Sequence, residues 1–262
     1  MRLGNLLLVR LCGTLVLACA VGTPVVAQEI TVAAAADLNY ALRDIATHYE
    51  KTTGTHVVLS FGSSGNFYSQ IQSGAPYDLF FSADRDYPAK LAQDGFLVTA
   101  SLHTYAIGQL VLWVPNGSGL DPQTAKMAVL TDPKVQRIAI ANPEHAPYGR
   151  AAMAALEHYG LKDAVEKKVV IGENISQAAQ FVQSGNAQAG LIALSLALSP
   201  AMKNAGRYWI LPDDAYPELR QTAGVLSRSK RKSQAEAFLR YMLSPEGQAV
   251  LEQYGFRSVA NE

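Results

Sequence analysis

Residues 29–65 read EITVAAAADLNYALRDIATHYEKTTGTHVVLSFGSSG, and the fold class follows from this stretch. Residues 30–36 form a short apolar run of β character. Leu38, Leu42, Ile45, Ala46 and Tyr49 then recur at helical spacing across residues 38–51, and Gly54 ends the pattern. Residues 56–61 return to a strand pattern, and Gly62-Ser63-Ser64-Gly65 leads into a second helix, expected over 67–73 and closed by Gly74. Strand, helix, strand, helix in immediate succession points to a mostly parallel α/β sheet.

The same alternation continues outward. Strands are expected at 77–82, 110–114, 137–141, 189–194 and 222–226, and helices at 149–158, 176–182, 233–243 and 245–254. No low-complexity linker, charge run or internal repeat marks a boundary. A length of 262 residues suits either one large α/β domain or two modest lobes. Two lobes joined by extended crossing strands, near 105–114 and 209–226, account for the missing linker. This reading assigns residues 28–108 plus 223–262 to one lobe and 109–222 to the other, with a ligand cleft between them.

At the N-terminus, Arg2 and Arg10 flank short apolar runs that end in Val25-Val26-Ala27. This pattern is expected of a secretory signal covering 1–27, and Arg10, Gly13 and Pro24 interrupt it too often for a membrane span. Cys19 is a poor match to a lipoprotein cleavage site. Cys12 and Cys19 are the only cysteines, so a processed chain would have neither a disulfide nor a thiolate metal site. The whole chain has 22 basic and 22 acidic residues. Loss of Arg2 and Arg10 would leave 20 against 22. Net charge therefore gives no attraction to nucleic acid or to an anionic membrane, and any anion must be drawn in locally.

Four strand-to-helix junctions carry small or polar residues where a helix begins: Ala36-Asp37, Ser63-Ser64-Gly65, Pro147-Tyr148-Gly149 and Asn174-Ile175-Ser176. Each alone reads as ordinary capping. Together they could direct unpaired backbone N–H groups at one anion, at the carboxyl ends of strands where open α/β sheets bind ligands.

Several stretches resemble the periplasmic molybdate-binding proteins of ABC transporters. They are Ile30 through Leu38, Phe61-Gly62-Ser63-Ser64-Gly65, Gly74 through Asp84, Asn142 through Ala152, and the tail containing Leu243-Ser244-Pro245-Glu246-Gly247-Gln248 and Tyr254-Gly255-Phe256. The resemblance spans the chain beyond the leader. It implies a type II periplasmic binding protein fold, no cofactor and no enzymatic activity. It also implies a monomer that carries molybdate or tungstate to a permease in the inner membrane. The family's ligand positions fall on Asp37, Ser64, Tyr148 and Ile175. Ser64 would supply hydroxyl and amide, and Tyr148 and Ile175 their amides.

Two positions depart from the family pattern. Asp37 stands where many members have serine; its carboxylate would repel a dianion, so it is expected to give its amide and turn its side chain away. Ala193 stands where some members have a tyrosine hydroxyl, which leaves Ser195 as a candidate replacement.

Neutral donors suit a proton-free tetrahedral dianion. Monohydrogen phosphate would need a buried acceptor, and Asp37 is the residue that could act as one. Sulfate would be rejected only by size, because a cavity spaced for longer metal–oxygen bonds stretches its hydrogen bonds. Sulfate and phosphate are therefore the alternative ligands. An organic acid would call on Arg150, which reads instead as a surface or lobe-contact residue. A hydrolase built on Ser64 is the rival class, but Gly62-Ser63-Ser64-Gly65 lacks nucleophile-elbow spacing. Of the five histidines, only His145 lies in a candidate site loop.

Overall fold

The computed structural model describes residues 29–259. The expected leader at 1–27, with both cysteines, lies outside them.

The first lobe opens with β1 (Glu29–Ala35), α1 (Asn39–Thr53), β2 (His56–Gly62), α2 (Ser64–Gln72), β3 (Leu79–Ser82), α3 (Asp86–Gln93) and β4 (His103–Gly108). The second holds β5 (Leu110–Pro115), α4 (Pro122–Ala125), β6 (Ile138–Ala141), α5 (Pro147–His158), α6 (Lys162–Val165), β7 (Val169–Gly172), α7 (Ile175–Gln183), β8 (Ala189–Ala193), α8 (Leu194–Ala197) and β9 (Gly206–Ile210). The chain then returns to the first lobe for β10 (Leu219–Val225), α9 (Lys232–Met242) and α10 (Pro245–Gln253).

The sheets run in the orders β2-β1-β3-β10-β4 and β7-β6-β8-β5-β9. β1 lies parallel to β2 and β3, and β6 lies parallel to β7 and β8. In each sheet a strand contributed from across the lobe boundary, β10 or β5, runs antiparallel beside the third strand. The two lobes thus repeat one topology that their sequences do not reveal. β10 pairs from Leu219 to Val225 entirely within the first sheet, so the boundary expected at 222–223 falls inside a strand. The return crossing is complete before Leu219.

Burial follows the pleat. Ile30, Val32 and Ala34 of β1 face the core under α1 and α9, while Ala33 packs on the opposite side with Phe67, Phe80 and Leu91. On α1 the expected stripe of Leu38, Leu42, Ile45, Ala46 and Tyr49 is buried, and Gly54 closes the helix in the left-handed region at φ 71°. The second lobe has its own core around Leu112, Trp113, Ile138, Ile140, Leu191 and Ile192.

Register places the junctions. Ala35 pairs with Gly62 at the ends of β1 and β2, and Ala141 pairs with Gly172 at the ends of β6 and β7. The turns that follow all emerge at the carboxyl edge of their sheet. Gly149 lets α5 press onto this edge, since a Cβ there would lie 2.4 Å from the Ala141 carbonyl oxygen.

Candidate anion-binding site

Ala35, Ala36, Asp37, Gly62, Ser63, Ser64 and Ala83 of the first lobe meet Ala146, Pro147, Tyr148 and Ile175 of the second around one cavity. Asp37, Ser64, Tyr148 and Ile175, from four different junctions, are therefore brought together.

Ser64 is the first residue of α2 and is fully buried; its Oγ accepts from the Ala83 amide at 2.9 Å. That contact fixes the oxygen and leaves the hydroxyl proton free to point at a ligand. Ser63 is the N-cap, accepting from the Asn66 amide. Tyr148 and Ile175 lie in the first turns of α5 and α7, where no intrahelical acceptor exists. Among the described residues the amides of Ser64, Tyr148 and Ile175 meet no protein acceptor. Three helices of nine or more residues thus begin at the cavity, each with an amide that has no protein acceptor and with the partial positive charge of its N-terminus.

Asp37 sits in a single 3-10 turn, Ala36–Leu38, and is 1% exposed. Its Oδ2 accepts from the Gln221 side chain, while its Oδ1 is buried without a partner. Burial raises its pKa from 3.8 to about 6, although hydrogen bonding from Gln221 and Tyr148 pulls the other way. The phenols of Tyr105 and Tyr148 are pushed well above their ordinary value, first by burial and next by the Asp37 charge. Gln221 joins these groups: its Oε1 accepts from the Tyr105 hydroxyl at 2.7 Å, and its Nε2 donates to Tyr148 Oη at 3.3 Å. Gln221 and Tyr105 lie on β10 and β4, the strands flanking the two crossings. Sequence reasoning missed both, because only strand pairing brings residues so distant in the chain beside Asp37.

Ser195 does not replace the missing tyrosine. Its hydroxyl donates to the Asp37 carbonyl at 2.7 Å, and Ser176 donates likewise to the Ala36 carbonyl at 2.9 Å. Both contacts cross between lobes.

More contacts close the rim. The Gly65 amide donates to the His145 carbonyl at 2.8 Å, and His145 Nδ1 lies 2.8 Å from Ser63 Oγ. Asn66 Nδ2 donates to Glu173 Oε1 at 2.6 Å. Arg150 bridges to Asp84 at 2.6 Å, with its guanidinium 5.4 Å from the centre of the Tyr87 ring. Arg150 is thus a lobe contact. Asp84, in the Asp84-Arg85-Asp86 turn, both takes this bridge and accepts from the Tyr87 amide. His48 and His158 are exposed. The serine touching His145 is Ser63, which already caps α2, and the Glu173 carboxylate stands 3.6 Å from His145 Nε2, outside hydrogen-bond range. No nucleophile–base–orienter set forms on Ser64.

Comparison with known proteins places the fold in a family. Residues 30–257 match the family profile of bacterial extracellular solute-binding proteins. The molybdate-binding protein ModA of Azotobacter vinelandii is 42% identical over 230 residues, 88% of this chain and 90% of that one. The ModA of Rhodobacter capsulatus is 36% identical, with 89% and 90% covered. A solved periplasmic molybdate-binding protein of A. vinelandii superposes with a TM-score of 0.82 at 36% identity, covering 89% of this chain and all of the other. A sulfate-binding protein of Mycobacterium tuberculosis, with a TM-score of 0.69 at 17% identity, shares the fold.

Proposed function

This chain belongs to the bacterial extracellular solute-binding proteins, in the molybdate-binding branch that serves ABC transporters, and from that premise we propose that it captures molybdate, and tungstate equally well, and hands it to a membrane permease. It is a binding protein and not an enzyme. The observation that supports the reading is that Ser64, Tyr148 and Ile175, whose helix-start amides have no protein acceptor, line one cavity between the lobes.

Asp37, Ser64, Tyr148 and Ile175 are the ligand residues of this reading. Ser64 gives its amide and its hydroxyl, and Tyr148 and Ile175 give their amides. A tetrahedral dianion touches both lobes and so stabilises the closed form over the open one. The lobes pivot at the two crossings, around Gln109 and across 211–218. The permease recognises the closed shape, so the loaded protein is the one delivered. The chain acts outside the cytoplasm, in the periplasm after loss of residues 1–27, and as a monomer.

Selectivity rests on spacing and on protonation. Donors placed for long metal–oxygen bonds hold sulfate poorly, and the amides offer nothing to the proton of monohydrogen phosphate, for which the Asp37 carboxyl is the one candidate acceptor. Molybdate and tungstate, being nearly equal in size, are not separated. Thermal denaturation with each of the four anions tests this. A clear rise in Tm with molybdate and tungstate alone supports the reading, and equal rises with all four, or none, defeat it.

A further inference from the structure

The Asp37 carboxyl is anomalous for a site that receives a doubly negative ion. It belongs to a residue that lines the cavity and is almost fully buried; Gln221, Tyr148 and the main chain of Asp37 and Leu38 favour its charged form, yet Oδ1 meets no donor in good hydrogen-bond geometry. Among the described residues, the groups facing it supply no cation. α5 presents Tyr148, β4 presents Tyr105 and β10 presents the neutral Gln221. α8 presents the Ser195 hydroxyl, which is given to the Asp37 main chain. Further out, Asp84 acts on Tyr105, and Tyr216 acts on Tyr148. The Arg150 guanidinium is engaged by Asp84 at the rim.

A carboxylate in this place cannot be neutralised by its neighbours when the anion arrives. The expectation that it turns away is met only in part. Oδ2 is tied back to the hinge strand through Gln221, and Oδ1 is buried without a hydrogen-bond partner. Resting on the oxyanion reading above, we propose that Asp37 takes up one proton from solvent as the anion binds, and faces it as a neutral carboxyl whose hydroxyl can serve as a further donor.

The proton goes to a carboxylate oxygen and no other bond changes. The ligand-free group, already poised near pH 6, is ionised at pH 7.5 and becomes protonated beside the dianion. Binding then weakens as pH rises, by about tenfold per unit above 7. Asp37 also sets selectivity, because a neutral carboxyl is a poorer acceptor for the proton of monohydrogen phosphate than a carboxylate would be.

The test is calorimetric titration of the full chain with sodium molybdate at pH 7.5, in three buffers of different ionisation enthalpy. The slope of heat against ionisation enthalpy should give close to one proton taken up per anion in the wild type, and close to none in Asp37→Asn. The variant should also hold molybdate with a Kd that is flat between pH 7 and 8.5. A buffer-independent heat in the wild type, or an undiminished uptake in Asp37→Asn, overturns the inference while leaving the molybdate reading intact. The wild-type measurement decides the matter even if the variant does not fold. No binding of molybdate by wild type overturns both.

Discussion

Gly65→Ala should weaken anion binding without weakening the fold. Gly65 is the second residue of α2 and donates its amide across the cleft to the His145 carbonyl. A Cβ at this position would lie 2.6 Å from the Tyr87 hydroxyl, 2.7 Å from His145 Cβ and 2.7 Å from His145 O. The two His145 atoms belong to the opposite lobe and cannot rotate aside, so closure must stop several tenths of an ångström short. Overpacking of this kind costs about 1–3 kcal/mol, and the strained or lost amide contact about 1 more. Nearly all of this penalty falls on the closed form. At about 3 kcal/mol, Kd for molybdate should rise roughly a hundredfold, mostly through faster release. In the open form alanine fits the first helical turn, so ligand-free stability should stay within about 1 kcal/mol of wild type. Calorimetric titration with parallel denaturant melts reads both quantities. An affinity within threefold of wild type would refute the closure argument, and an equal loss of stability would show that the contact belongs to the fold rather than to closure.

Other outcomes follow from the same geometry. Ser64→Ala removes a donor to the anion and strands the buried Ala83 amide, so it should cost about 2 kcal/mol of binding and about 1 kcal/mol of stability, readable by titration and urea melts. Asp37 has a native pKa above its unfolded value, so the native state binds more protons between pH 4 and 6 and ligand-free stability should fall as pH rises through that window. Asp37→Asn should reduce that slope, leaving the smaller part due to buried Asp84, and raise stability at pH 7.5 by up to about 3 kcal/mol, several degrees in Tm; an unchanged slope in calorimetric scans at pH 4.5 and 7.5 would contradict it. Arg150→Ala should raise Kd two- to fivefold, an effect expected to shrink in 0.5 M salt because the bridge is half-exposed and worth about 0.5–1 kcal/mol.

Much of the fold was legible because burial wrote its period into the chain. The β1 run, the α1 stripe and the terminal helices stand within two residues of expectation. The errors have physical causes. α2 begins at Ser64 rather than 67, and α5 at Pro147 rather than 149, because the small residues read as junctions are themselves the first turns. β7 is half-exposed on one edge, β9 shows no clean alternation, and α3, α4, α6 and α8 are too short or too mixed in pattern to register. The repeated topology left no trace because each lobe fills its core with different residues.

The site divides in the same way. Asp37, Ser64, Tyr148 and Ile175 lie at junctions visible in the sequence, and the family resemblance singled them out as ligand positions. Gln221, Tyr105, Gly65, Glu173 and the role of Ser195 could not be named, because each acts through a partner more than twenty residues away in the chain. The Gly65–His145 pair shows the limit well: neither residue signals in sequence that the other's backbone will meet it.

The most direct measurement is a crystal structure of the protein grown with tungstate, with the metal located by its anomalous scattering. The metal should lie between the lobes, its oxygens about 2.7–3.1 Å from the amides of Ser64, Tyr148 and Ile175 and from the Ser64 hydroxyl. An anion held instead by a lysine or arginine side chain, or one seated away from these amides, would contradict the account.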